Sequence, residues 1–168
     1  LFIYTVFDQE YTLEEISYSR KEDRRIIKAV LKKWFNNPKE LNFVSPKLTY
    51  PFNFDKWLLI YENYDLKEVF TILVKFNDWI IGHVSFHCNH NNVHIFHLFI
   101  DSKYRNKGLA KKIIKYIEIR ARSLETKTIS LKISPKNLIM FKISTDLGYR
   151  KTIVRNQRSI KMSKGLND

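Results

Sequence analysis

The chemistry in this chain is concentrated between residues 83 and 137. The stretch "IDSKYRNKGLAKKIIKYIEIR", Ile100 to Arg120, runs from a hydrophobic strand end through a basic loop with one glycine into an amphipathic helix. A helix beginning at Gly108 or Leu109 leaves its first N–H groups without intrahelical acceptors and carries partial positive charge there, which suits an anion. Gly108 permits close backbone approach, Ala110 adds no bulk, and Arg105, Lys107 and Lys111 add charge. A pyrophosphate meets all of these conditions, although many such turns bind nothing. The loop is neither a Walker loop nor a Gly-x-Gly-x-x-Gly fingerprint.

Just upstream lie His83, His87, His94 and His97. An imidazole titrates in the range useful for proton transfer. On a strand, His83-x-x-x-His87 does not converge as it would on a helix, so no metal site is assigned. Cys88 has no assignable base beside it and is read as a strand residue rather than a nucleophile.

These residues must be positioned by a mixture of strands and helices. "LEEISY" reads as a first strand, and Ser19 with Glu22 as a capping box for a helix from about Arg20. Ile26, Ile27, Val30, Leu31, Trp34 and Phe35 form its apolar face, and "NNP" ends it. A short helix spans about Phe54 to Glu62. The runs "EVFTILVKF", "WIIGHVSFHC" and "VHIFHLFI", joined by Asn77-Asp78 and "NHNN", predict an antiparallel meander. The amphipathic helix then turns Leu109, Ile113, Ile117, Ala121 and Leu124 inward, and Lys111, Lys112, Lys115 and Arg122 outward. A strand "TISLKI", a helix "NLIMFKISTDL" stopped by Gly148, and strands "YRKTIV" and "RSIKMS" complete an α+β domain with a mixed, mostly antiparallel sheet flanked by helices. By strand alternation His94 shares a face with Phe96 and Leu98, and His97 lies opposite.

The 168 residues suit one domain over 1–168, with neither repeat nor linker. The lone cysteine excludes an intramolecular disulfide framework and fits a reducing compartment, so the cytoplasm is expected. No apolar run approaches the ~20 residues of a membrane span, and the start "LFIYTVFDQEYT" reads as neither anchor nor signal peptide. Lys and Arg outnumber Asp and Glu by 30 to 17, a net charge of +13 that favours anionic partners. A basic nucleic-acid-binding domain is the reading the charge alone suggests, but the lysines are scattered and no nucleic-acid module supports it.

"RNKGLA", Arg105 to Ala110, resembles the Arg/Gln-x-x-Gly-x-Gly/Ala motif of the GNAT superfamily of N-acetyltransferases, with the strand "HLFI" before it and the helix after it. "NLIMFKISTDLGYRK" resembles that family's N-x-x-A … Y-x-x-x-G-F segment, with Asn137 as the asparagine and Gly148-Tyr149 at the Gly-Phe position. "RSIKMSK" resembles its last strand. "WFNNPKELNFVSPKLTYP" is more loosely similar to the ribosomal-protein alanine acetyltransferase branch.

The resemblance implies a GNAT-like fold, acetyl-CoA as co-substrate and no metal. It also implies transfer of acetyl to a primary amine by direct attack in a ternary complex. The amides of Asn106, Lys107, Gly108, Leu109 and Ala110, with Arg105, would cradle the pyrophosphate. The backbone of Leu98, Phe99 and Ile100 would pair with the pantetheine like an added strand. Asn137 would hydrogen-bond near the pantetheine arm, or simply cap the next helix. His94 falls where several members carry a Glu or His base; the alternative is a surface histidine at a strand start. Ser144 stands where many members have a tyrosine acid, and Lys132 where the alanine acetyltransferases have a glutamate base. Ser144 is either a proton donor or a helix-surface serine. These departures keep open a non-catalytic acyl-CoA-binding module. The amine acceptor, whether a small molecule, a protein N-terminus or a lysine, is not specified by any motif, and a homodimer is neither required nor excluded.

Overall fold

β-branched and aromatic runs separated by turn residues build the central sheet in a computed structural model, which describes residues 5–8, 10–65, 68–152 and 159–166. Its strands are β1 (Thr5–Asp8), β2 (Tyr11–Ile16), β3 (Val69–Phe76), β4 (Trp79–Cys88), β5 (Asn92–Ile100), β6 (Thr128–Ile133), β7 (Arg150–Thr152) and β8 (Ile160–Gly165). Among the described residues they form one sheet in the order β1-β2-β3-β4-β5-β6-β8-β7. All neighbours are antiparallel except β5 and β6, which run parallel. Asn77 and Asp78 turn β3 into β4 with φ of 44° and 66°, the left-handed pair that a tight two-residue hairpin needs.

The helices are α1 (Lys21–Trp34), α2 (Pro38–Val44), α3 (Phe54–Glu62), α4 (Leu109–Ser123) and α5 (Leu138–Asp146). α4 is the crossover between the parallel strands. Its Leu109, Ile113, Ile114, Ile117 and Ala121 are buried against Ile72, Val84, Val93, Ile95, Ile129 and Leu131 of the sheet. Each buried isoleucine contributes about 1.5–3 kcal/mol relative to exposure. On the opposite face Ile27, Leu31 and Phe35, Leu41 of α2, and Trp57 and Tyr61 of α3 pack with Leu73 and Phe99. The sheet is thus sandwiched between α4 on one side and α1 to α3 on the other.

Several expectations need correction. Ser19 and Glu22 form no capping box: the N-cap is Arg20, without a side-chain cap. Ser19 is held by the Ser17 hydroxyl and Glu22 by Arg25, so neither reaches the helix amides. The Asp23 carboxylate instead accepts from the Ser17 amide at 2.7 Å and from Arg20 Nε at 2.6 Å. Ile26 and Leu124, read as inward, are 44% and 47% exposed. "NNP" is both a stop and a start, because Asn37 caps α2 at the Lys39 amide and Pro38 fits its first turn. β1 was not expected.

The largest departure is in β5. Gly82 pairs with Ile100 and His83 with Phe99, but Ser85 pairs with Phe96, so His97 and Leu98 together oppose Val84. This is a β-bulge, and His97 sits in it with φ of +53°. Alternation breaks there. Leu98 turns to the α4 side, whereas His97 contacts Trp57 and Tyr61 on the α1 to α3 side, with Phe96. His94 stacks parallel to Phe96, so His94 and His97 share a face and Leu98 does not.

Candidate active site

The pairing of β5 with β6 runs from Asn92↔Thr128 to Ile95↔Leu131. Beyond it the two strands part while both continue, β5 to Ile100 and β6 to Ile133. A cleft therefore opens between parallel neighbours at the bulge, and its β5 wall is a length of extended backbone released from the ladder on that side. Such an edge can take an extended partner by main-chain hydrogen bonds.

At the end of β5 the chain is tightly braced. The Asp101 side chain accepts from the Lys103 amide at 3.0 Å and from Trp34 Nε1 at 3.2 Å, fixing a 3-10 turn over Ser102–Tyr104. Arg105 donates from Nε to the Ile100 carbonyl at 2.8 Å and forks onto both Glu40 oxygens at 2.9 and 2.8 Å. Its guanidinium is thereby committed to α2, leaving the backbone as its contribution to the loop. Asn106 and Gly108 take positive φ of 62° and 75°, and Gly108 is the N-cap of α4. A Cβ at Gly108 would meet nothing within 4 Å, so the loop faces open space at the end of α4. The fit to an anionic group is good: left-handed backbone, an uncapped helix N-terminus and room for a ligand. Lys111 is paired with Asp146 at 3.0 Å and Lys107 lies over the Tyr104 ring, so the lysine charges are held beside the loop.

His94 lies in the last paired stretch, opposite Ser130 in register. Its Nδ1 is 3.2 Å from Ser130 Oγ, which also accepts from Asn92 Nδ2 at 3.1 Å. Burial, followed by the charges of Lys132, Lys161 and His87, pushes its pKa down to about 4. The tautomer in which Nδ1–H donates to Ser130 leaves the Nε2 lone pair free; in the other, the Ser130 hydroxyl donates to Nδ1. His94 is thus half-buried rather than a surface residue, and unprotonated at neutral pH.

Asn137 caps α5, accepting from the Met140 amide at 3.2 Å. Ser144 is not on the helix surface: it is fully buried, and its hydroxyl donates to the Met140 carbonyl at 2.8 Å. The proton expected for a leaving group is spent on the helix's own backbone. Cys88 is inert by the same logic, since burial pushes its thiol up to about 11. His87 is bound to Glu68 at 3.1 Å, and the fully buried His83 bonds to Tyr18 and the His97 carbonyl.

Alternation along β5 gave no sign of the bulge, and nothing in the sequence pointed to Glu40 as the partner of Arg105. An open cavity of about 800 Å³ is bounded by α2, the following loop and Lys136 of the β6–α5 turn.

The chain belongs to the acetyltransferase (GNAT) family, whose model matches residues 14–149. Among curated proteins none matches it in sequence. Solved structures share its fold at low identity. The GNAT domain of S. lividans PAT superposes with a TM-score of 0.76 at 12% identity, over 92% of this chain and 90% of that one. Spermidine N-acetyltransferase from Vibrio cholerae, in complex with CoA and spermine, gives 0.70 at 16% over 95% and 97%. A GNAT family acetyltransferase from Elizabethkingia anophelis with acetyl-CoA bound gives 0.63 at 13% over 94% and 99%. Among the described residues no helix is long and apolar enough to cross a membrane.

Proposed function

We propose that the protein transfers an acetyl group from acetyl-CoA to a primary amine by direct attack in a ternary complex. The observation that carries this reading is the parting of β5 from β6 after Ile95↔Leu131, directly upstream of the left-handed Gly108 loop. In it the amides of residues 106–110 take the pyrophosphate, and the Leu98 to Ile100 backbone takes the pantetheine as a third strand. Asn137 lies near the pantetheine arm while capping α5.

The amine lone pair attacks the thioester carbonyl carbon. A C–N bond forms, the C–S bond breaks, and the sulfur leaves as thiolate. The nitrogen sheds one proton and the thiolate takes one up, so amine and acetyl-CoA become acetamide and CoA thiol. The bulge backbone polarises the carbonyl as charge builds on its oxygen. His94 accepts the proton from nitrogen at Nε2. A thiol of pKa ~8.5 leaves readily, so the reaction proceeds without the Ser144 proton.

Two observations favour a second reading. Ser144 has no free proton and His94 is a weakened base, as in a module that binds acyl-CoA without turning it over. Calorimetric titration with acetyl-CoA, followed by a thiol-release assay over a panel of amines, separates the two. Binding with turnover supports the transferase, binding without turnover the module, and no binding refutes both.

A further inference from the structure

The strained residue of the cleft is also its most heavily restrained one. A non-glycine residue at φ of +53° in a strand costs about 1–3 kcal/mol and persists only where its surroundings over-determine it. For His97 they do. Its ring lies over Trp57 with centroids 3.9 Å apart and planes at 21°. Its Nδ1 is 2.9 Å from Tyr61 OH and its Nε2 is 3.1 Å from Ser45 Oγ. Its carbonyl accepts from His83 Nδ1 at 2.9 Å.

The last contact fixes the His83 tautomer. A carbonyl only accepts, so Nδ1 carries the proton and Nε2 is the acceptor. Tyr18 OH therefore donates to Nε2 at 3.0 Å, and itself accepts from Trp57 Nε1 at 2.9 Å. The chain Trp57→Tyr18→His83→His97 carbonyl runs in one direction, is buried throughout, and ends on the peptide that joins His97 to Leu98. This is the peptide whose N–H belongs to Leu98, where the bulge meets the opening between β5 and β6.

We propose that His83 is a positioning residue for acetyl transfer: by anchoring the His97 carbonyl it fixes the rotation of the His97–Leu98 peptide and so the aim of the Leu98 amide at the thioester carbonyl. The proposal rests on the transferase reading above. His83 touches no substrate. It acts through one peptide plane, and a misaimed donor loses rate while the binding contacts of the pyrophosphate loop, past the end of β5, are untouched.

Two replacements separate this role from packing. In His83→Asn the side-chain amide can donate from near the Nδ1 position; in His83→Gln it reaches toward Nε2 and Tyr18 instead. Expected is that H83N retains most of kcat, whereas H83Q loses about 10- to 100-fold. Acetyl-CoA Kd should stay within about twofold of wild type in both, and the two melting temperatures should agree. The carbonyl ¹³C resonance of bound, labelled acetyl-CoA should lie downfield of free in wild type and H83N, and return toward the free value in H83Q. An independent pair leaves His83 in place: His97→Gly, which adopts positive φ freely, should be faster than His97→Ala. H83N and H83Q falling equally, a loss that follows acetyl-CoA Kd, an unshifted wild-type resonance, or H97A as fast as H97G would each overturn the positioning role. Wild-type protein that binds no acetyl-CoA would instead overturn the transferase reading, and the role with it.

Discussion

Replacing Gly108 by alanine tests the phosphate loop most sharply, because the structure separates its two effects. The residue has φ of +75°, so a Cβ there costs about 1–2 kcal/mol of backbone strain. No clash adds to this, since an added Cβ meets nothing within 4 Å. For a domain of this size that is a fall of about 2–8 °C in melting temperature. The open space the Cβ enters is where the pyrophosphate would lie. Displacing one charge-assisted amide contact costs about 1.5–3 kcal/mol, or about 10- to 100-fold in Kd, and Gly108→Asp adds repulsion. Calorimetry should therefore show acetyl-CoA affinity falling far more than stability. A truncated acetyl thioester lacking the pyrophosphate should be turned over equally well by wild type and variant. Unchanged acetyl-CoA affinity alongside the expected melting shift would remove the loop from the site.

Gly82→Ala should behave in the opposite way: its Cβ would lie 2.8 Å from Ile100 Cδ1 and 3.2 Å from the Phe99 carbonyl, so about 1–3 kcal/mol of overpacking should appear in denaturant unfolding. Asn137→Asp should keep the α5 cap and its stability, whereas Asn137→Ala should lose about 0.5–2 kcal/mol; reduced acetyl-CoA affinity in the aspartate variant would point to a ligand contact as well as a cap. His83 and His94, each held at about 4 in the folded state against 6.5 unfolded, bind fewer protons folded than unfolded between those values. Stability should be fully present above pH ~6.5 and fall as pH drops toward 4, by about 3 kcal/mol per histidine. Thermal melts of H83N should show a shallower decline, and an identical one would exclude His83 as a source. His94→Ala should lower kcat with little change in acetyl-CoA Kd and alter the pH–rate profile; an unaltered profile sends the base elsewhere.

The strands and helices that carry strong periodicity were legible: β3 to β6, α3 and α4 fall within a residue or two of where the pattern places them. So was the crossover from β5 to β6, because a strand, a glycine loop and an amphipathic helix follow one another without interruption. What failed depends on contacts distant in sequence. Ser19 is a good cap by type, but Ser17 takes its hydroxyl. Arg105 looks like a phosphate ligand until Glu40, 65 residues away, takes its guanidinium. The bulge is the clearest case, since period-2 alternation has no term for an extra residue. The positive φ of His97 is supported by Ser45, Trp57, Tyr61 and His83, contacts that strand periodicity does not encode.

A base with a pKa of about 4 is a poor match for an alkylammonium, yet the charges that help weaken His94 act on the acceptor too. Lys132 and Lys161 raise the cost of a positive charge at His94. They do the same for an ammonium brought beside it, so the acceptor's own pKa falls on binding and the neutral, nucleophilic amine is favoured. After attack the nitrogen is far more acidic than the free ammonium, and a weak base suffices to remove its proton. Under the transferase reading the cationic surroundings thus move the proton problem from catalyst to solvent. Lys132→Glu separates this from simple base catalysis. It should raise the His94 pKa and improve the base, yet leave more of the bound amine protonated, shifting the onset of the pH–rate profile for kcat to higher pH. A higher plateau rate above that onset would instead mean that the strength of His94, not the charge state of the amine, limits the reaction.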